Sequence, residues 1–141
     1  MVRTIWKYVS VLLVYFVVDV AYQVVFGIPF ASHLQQKAGI SGIYAEAIRF
    51  ELIGVWFVII TLAIVHLVVN PAVANGSVRE ALVKGLLLGV AAYATLGLAN
   101  GWSLANFPLM LVAEITLEGV LFAPIAAAVT TWWMLRWKGD A

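Results

Sequence analysis

Four long apolar runs constrain this chain more than any other feature of its sequence. They lie at about residues 5–26, 47–69, 81–98 and 107–135. Each is close to the roughly 20 residues that a helix needs to cross the hydrocarbon core of a bilayer. Because backbone N–H and C=O groups cannot stay unpaired in lipid, such runs predict helices rather than loops or open strands. We therefore expect an all-α, integral membrane four-helix bundle, with residues 1–141 forming a single transmembrane domain.

The composition supports a membrane protein. Hydrophobic residues make up 65% of the chain and charged residues only 11%, whereas soluble domains are about half apolar and about a quarter charged. The formal net charge of +1 gives no reason to expect a nucleic-acid partner. The absence of cysteine excludes disulfides and thiolate chemistry. The first residues resemble the start of a signal peptide, but Asp19 interrupts the apolar run, so we expect this segment to remain a helix.

The distribution of basic residues predicts the orientation of the bundle. Most basic residues lie on one side of the predicted bundle. The other side carries only Lys37 and Arg49, and Glu46 and Glu51 offset their charge. Cytoplasmic loops carry the excess of Lys and Arg in membrane proteins, so we expect both termini in the cytoplasm. Six basic residues share the predicted cytoplasmic side: Arg3, Lys7, Arg79, Lys84, Arg136 and Lys138.

Three carboxyl groups lie inside the predicted spans. Asp19 is in the first span, and Glu114 and Glu118 are in the fourth. Counted from the outer face at 1.5 Å per residue, Asp19 and Glu114 lie at about the same depth, with Glu118 one turn further in. An ionised side chain at such depth costs several kcal/mol unless it faces the bundle interior or water. We therefore predict a polar pocket that contains all three.

Other polar side chains are spaced to share helical faces with these acids. In the first span they recur at intervals of three and four residues around Asp19, which places them on one stripe. The third span carries the series Gly85-x₃-Gly89-x₃-Tyr93-x₃-Gly97, a small-residue face that allows close helix approach. Residues on these stripes, together with one at the outer end of the second span, are the candidate substrate contacts: Tyr15, Tyr22, Gln23, Glu51, Tyr93 and Asn100.

Three functions are compatible with such a pocket. The first is an enzyme that acts on a lipophilic small molecule, in which a protonated carboxyl and an ionised one serve as general acid and base for isomerisation, cyclisation or epoxide opening. We expect Asp19 and Glu114 to be that pair, with Glu118 sharing the proton and no cofactor required. The second is a proton-coupled small transporter or channel, which would need a homo-oligomer because four spans are few for a carrier. The third is an accessory structural subunit whose acids hydrogen-bond between helices.

The two histidines give little support for a metal site. His33 lies in the first loop and could join the carboxylates in binding a divalent cation. His66 lies at the opposite end of the second span, and no Glu-x-x-His pair of the di-iron type is present. We expect neither a metal nor haem.

Part of the sequence resembles a known family. The stretch "NPAVANGSVREALVKGLLLGVAAYAT" at residues 70–95, Asp19 with Tyr22, and "GW" followed by an acidic fourth span are the features that carry the resemblance. They resemble the small bacterial four-span membrane proteins of domain-of-unknown-function family 2177. The resemblance implies a multi-pass protein of the bacterial inner (cytoplasmic) membrane, with a characteristic Asp in the first span that Asp19 matches. It implies no particular activity.

The chain departs from that family's pattern in its last two spans. The Tyr-Asp-Leu-Thr-Asn segment typical of the third span is Leu-Gly-Leu-Ala-Asn here, so Gly97 stands where the acid is usual. The Asp-x-x-Trp-Gly segment of the fourth span is Glu-Ile-Thr-Leu-Glu here, with Glu114 for Asp and Glu118 for Gly. One acid has left the third span and another has appeared in the fourth, which suggests a modified activity.

Overall fold

A computed structural model of the protein describes residues 2–27, 50–103 and 109–137. These residues form helices and contain no strand, which confirms the predicted all-α membrane fold. The first loop, with His33 and Arg49, lies outside the described residues. Four helical segments are long and apolar enough to cross a membrane: Val2–Phe26, Gly54–Ala74, Val78–Ala99 and Leu109–Arg136.

The four helices run up and down, so that two begin and two end at each end of the bundle. Contacts between their ends show the arrangement, since Arg3 donates a hydrogen bond to the Met134 carbonyl at 2.8 Å and Lys7 donates one to Asn70 Oδ1 at 2.7 Å. The helices are α1 (Val2–Tyr22, continued by the π-helical segment Gln23–Gly27), α2 (Phe50–Ala63, the π-helical segment Ile64–Val69 and Asn70–Ala74), α3 (Val78–Ser103) and α4 (Leu109–Arg136).

Two prolines, each of which predicts the end or a break of a helix, lie within helical segments. The Asn70-Pro71 pair predicts the end of the second span, but α2 continues to Ala74 because Pro71 occupies the first turn of its last segment, where no backbone donor is needed. The turn to α3 follows at Gly76, whose φ of 66° suits glycine. Pro124 also predicts a break or kink in the fourth span; the structure shows no break, since α4 continues as one helix through this residue.

The start of α3 is capped by Ser77. Its hydroxyl oxygen accepts a hydrogen bond from the Glu80 backbone N–H at 3.1 Å, which is the first half of the capping box that the order Ser77-Val78-Arg79-Glu80 predicts. The second half does not form, because the Ser77 N–H donates to the Ala72 carbonyl instead. The Glu80 carboxylate pairs with Lys84 and accepts a hydrogen bond from Asn75 at 2.9 Å.

Replacement of Ser77 should therefore loosen the start of α3. We expect Ser77→Ala to lower the free energy of unfolding by about 1 kcal/mol, the usual value for a lost N-cap hydrogen bond. Thermal unfolding in detergent measures the change. Thr95→Ala is a matched control, because the Thr95 hydroxyl is exposed and bonds only to the Ala91 carbonyl of its own helix. An equal effect of the two changes would contradict the capping role.

The closest helix pair is α3 with α4, and glycines make it possible. A Cβ atom placed on Gly89 would overlap the backbone carbonyl of Gly119, and one on Gly119 would overlap that of Gly89. A Cβ atom on Gly85 would lie 2.7 Å from the Cα of Pro124, and Gly97 also faces α4. The small-residue face predicted for the third span is thus confirmed, and it brings the two backbones into contact.

An apolar layer fills the middle of the bundle. Its members come from α1, α2 and α4 and are almost fully buried. Along each helix they lie between the acidic residues and the basic residues, so they separate two regions of the bundle. We name these regions the acidic end (around Asp19 and Glu118) and the basic end (where α1 and α3 begin). The apolar layer consists of Val11, Ile60, Ile64 and Ala126.

Candidate functional site: an acidic pocket above an aromatic floor

A pocket of about 410 Å³ lies at the acidic end, and all four helices contribute to it. It contains two of the predicted catalytic residues, Asp19 and Glu118, and two of the predicted contacts, Tyr15 and Tyr93. We call it the acidic pocket. Its lining consists of Tyr15, Asp19, Trp56, Phe57, Tyr93, Leu96, Glu118 and Phe122.

The two carboxyl groups of the pocket come from two helices that contact each other, α1 and α4. Gln23 follows Asp19 by one helical turn and donates a hydrogen bond from its Nε2 to Glu118 Oε1 at 3.3 Å. This contact fixes the face that α1 turns toward α4. Asp19 and Glu118 are each half-buried, and every basic side chain that the described ranges contain lies in the opposite half of the bundle, at the basic end. The pocket therefore contains two acidic side chains, and no basic side chain of the described ranges lies near them.

The bottom of the pocket is aromatic. The hydroxyl groups of Tyr15 and Tyr93 are hydrogen-bonded to each other, and both residues are buried. Tyr15 packs edge-on against Phe57 and Phe122, with ring centroids 5.5 and 5.6 Å apart. Tyr93 packs edge-on against Phe122 at 6.2 Å. This aromatic floor, consisting of Tyr15, Phe57, Tyr93 and Phe122, lies on the apolar layer and closes the pocket toward the basic end.

Removal of the two tyrosine hydroxyls tests whether they are hydrogen-bonded to each other in the aromatic floor. We expect Tyr15→Phe and Tyr93→Phe each to destabilise the protein by about 1 kcal/mol, because each leaves a buried hydroxyl without its partner. The double variant should be hardly less stable than either single variant, since it leaves no orphan. Thermal unfolding of the three variants measures the coupling. Strictly additive losses would show that the two hydroxyls do not interact.

Glu114 lies in a neighbouring groove rather than in the acidic pocket. This groove has a volume of about 310 Å³ between the ends of α1 and α4, and we call it the Glu114 groove. Tyr22, predicted as a contact, lines it and also packs edge-on against Phe122 at 5.4 Å. Tyr22 thus contacts the aromatic floor from the groove side. The full lining is Tyr22, Phe26, Met110, Ala113, Glu114 and Leu117.

Of the three acids predicted to share one pocket, Asp19 and Glu118 therefore line the acidic pocket, and Glu114 lines the neighbouring groove. Glu51 and Asn100 belong to α2 and α3, but their side chains lie outside the described residues, as does His33. His66 lies toward the basic end and hydrogen-bonds the Tyr8 hydroxyl at 3.0 Å. Within the described ranges, no three His, Asp or Glu side chains are grouped so as to hold a metal ion.

A family model described as "Predicted membrane protein (DUF2177)" matches residues 4–132. The chain belongs to this family. The match includes the acids of both α1 and α4, so the acidic pocket and the Glu114 groove lie within the DUF2177 region. A comparison with curated proteins finds no match, and neither does one with solved structures.

Four residues that line the acidic pocket of this DUF2177 protein were not predicted from the sequence. Phe122 follows Glu118 by four residues and Leu96 follows Tyr93 by three, so helical spacing could have found both. Trp56 and Phe57 lie in a uniformly apolar run with no polar stripe. Nothing in that run indicates which of its faces meets the other helices.

Proposed function

We propose that this protein is a cofactor-independent integral membrane enzyme. It would act on a lipophilic small molecule by acid–base catalysis in the acidic pocket, through isomerisation, cyclisation or epoxide opening. The observation that carries the proposal is the shape of the site. Two carboxyl groups share a pocket that the aromatic floor and the apolar layer close toward the basic end. A dead-ended pocket suits a reaction, whereas a channel needs a continuous path across the membrane.

The chemistry assigns complementary tasks to Asp19 and Glu118. In an isomerisation, the protonated carboxyl delivers its proton to one carbon of an alkene, which leaves the other alkene carbon cationic, and the ionised carboxyl removes a proton from the next carbon beyond that cationic centre. The double bond moves, and the pair has exchanged its protonation states. Two carboxyls close to each other favour such a split, because two adjacent negative charges are unfavourable. Aromatic faces at the floor, such as Phe122, can stabilise the cation that forms between the two steps.

The surroundings of the pocket suit an apolar substrate. The Glu114 groove is lined by apolar side chains, and Phe26 and Met110 are exposed at its rim. A molecule dissolved in the bilayer could approach the acidic end along it, with Glu114 as its first polar contact. We place the basic end in the cytoplasm by the positive-inside rule, and the protein in a bacterial inner membrane. The pocket then lies in the outer half of the bilayer.

Deuterium uptake tests the proposal without knowledge of the substrate. The purified protein in lipid nanodiscs is incubated in D₂O with an apolar extract of membranes that contain it, and the extract is analysed by mass spectrometry. Protonation at carbon by a carboxyl equilibrated with D₂O leaves one deuterium in the product, and epoxide opening adds the elements of D₂O. We expect at least one compound to change in this way only when active protein is present.

A negative result overturns the enzymatic proposal. If no compound gains deuterium or D₂O, proteoliposomes that contain a pH-sensitive dye show whether transport takes its place. Proton flux that depends on Glu118 would identify a carrier, and the absence of both activities would leave the acids a structural role.

A further inference from the structure

We propose that the basic end carries a binding site for the phosphate headgroup of an anionic phospholipid. The site is a groove of about 230 Å³ on the last turns of α4. It is independent of the acidic pocket, which lies at the other end of the bundle. We call it the tryptophan groove, and its lining consists of Trp132, Trp133, Arg136 and Trp137.

Helical spacing explains why these four residues form a groove. Trp132 and Arg136 are one turn apart, as are Trp133 and Trp137, so the two pairs make adjacent rows at the end of α4. The Arg136 guanidinium lies over the Trp132 ring, with its central carbon 4.4 Å from the ring centroid. This cation–π contact holds the guanidinium plane on one wall. No acceptor among the described residues engages its N–H groups, whose planar fork suits a phosphate.

Helix α1 supports the groove from one side. Trp6 contacts Trp137, with ring centroids 6.3 Å apart, and Arg3 is engaged with the Met134 carbonyl at 2.8 Å. The indole nitrogen of Trp137 is covered and has no hydrogen-bond acceptor within the described part of the chain. Such an orphan donor costs free energy.

The charge of the basic end selects an anion. The described residues there include one acid, Glu80, and its carboxylate is paired with Lys84. A cluster of basic residues at a membrane surface attracts anionic lipids. The described basic residues of this end are Arg3, Lys7, Arg79, Lys84 and Arg136.

The walls of the groove select a lipid rather than free phosphate. Trp132 and Trp133 are 43% and 51% exposed, and tryptophan prefers the level of the membrane where headgroups meet acyl chains. A phospholipid can place its phosphate on Arg136 and the start of its chains along these rings. Inorganic phosphate would gain nothing from the aromatic walls.

Lipid binding to the full-length protein tests the site. Native mass spectrometry in detergent counts the phosphatidylglycerol or phosphatidylcholine molecules that stay bound. We expect phosphatidylglycerol to bind more tightly than phosphatidylcholine, and Arg136→Gln to weaken it by roughly tenfold, the order expected for a lost charge-assisted hydrogen bond. The matched control is Arg79→Gln, which removes the same charge from an exposed position at the same end. It removes part of the general attraction but no contact in the groove, so it should weaken the binding much less than Arg136→Gln does.

Three outcomes would overturn the proposal. They are equal weakening by Arg136→Gln and Arg79→Gln, equal binding of the two lipids, and displacement of the bound lipid by millimolar inorganic phosphate. Arg136→Lys serves as a second variant if Arg136→Gln does not fold. It keeps the charge but loses the planar fork, so it should bind phosphatidylglycerol less tightly than the wild type and more tightly than Arg136→Gln.

Discussion

Gly89→Ala is expected to be strongly destabilising, although it adds only one methyl group. A Cβ atom at Gly89 has no space, because it would overlap the backbone carbonyl of Gly119 on the facing helix. Relief requires α3 and α4 to move apart along their whole contact, since neither backbone can yield locally. Overpacking of a tight contact typically costs about 1–3 kcal/mol, and this contact is backbone against backbone, so we expect the upper part of that range.

The chain supplies a matched control in Gly54 of α2. A Cβ atom placed there meets nothing within 4 Å, and alanine is the better helix former. Gly54→Ala should therefore leave stability unchanged or raise it. Unfolding in detergent, followed by the fluorescence of the six tryptophans, compares the two variants. If Gly89→Ala melts together with the wild type, the α3–α4 contact is looser than described and its glycines do not define the helix distance.

Much of this fold could be predicted from residue types because lipid leaves few alternatives. A run of about 20 apolar residues must be helical, and the Gly85-x₃-Gly89 spacing must create a flat surface, whatever the rest of the chain does. The helix ends were harder to predict. Proline stops a helix only where a backbone donor is required, so the sequence around Pro71 is compatible with both an end and a continuation.

The candidate site was less predictable, because depth along a helix does not determine which residue faces a partner. Counting residues places Asp19 level with Glu114, yet in the structure Asp19 shares its pocket with Glu118, which lies one turn away on the same helix face. A relative shift of about 5 Å between α1 and α4 exchanges them. The contact between Gln23 and Glu118 settles this in the structure, and it depends on packing that no residue pattern reveals.

Acid–base catalysis in the acidic pocket predicts that Asp19→Asn and Glu118→Gln abolish the deuterium uptake described above. Loss of a general acid or base typically costs 10²–10⁴-fold in rate, and either change removes one member of the pair. The double variant should be no less active than the less active single variant, because the two residues act as a unit. Rates of deuterium incorporation, measured in the same nanodiscs, give all three values.

Two further carboxyls serve as comparisons for this experiment. Glu114→Gln alters the neighbouring groove, so we expect it to reduce the rate at low substrate and much less at saturation. Glu80→Gln removes an acid from the basic end, paired there with Lys84, and should leave the rate unchanged. Thermal unfolding separates chemistry from folding, because a neutral amide of the same shape should not destabilise the half-buried pocket. If Glu114→Gln abolishes uptake while Glu118→Gln does not, the reacting pair is Asp19 with Glu114, and the substrate binds in the groove rather than in the acidic pocket.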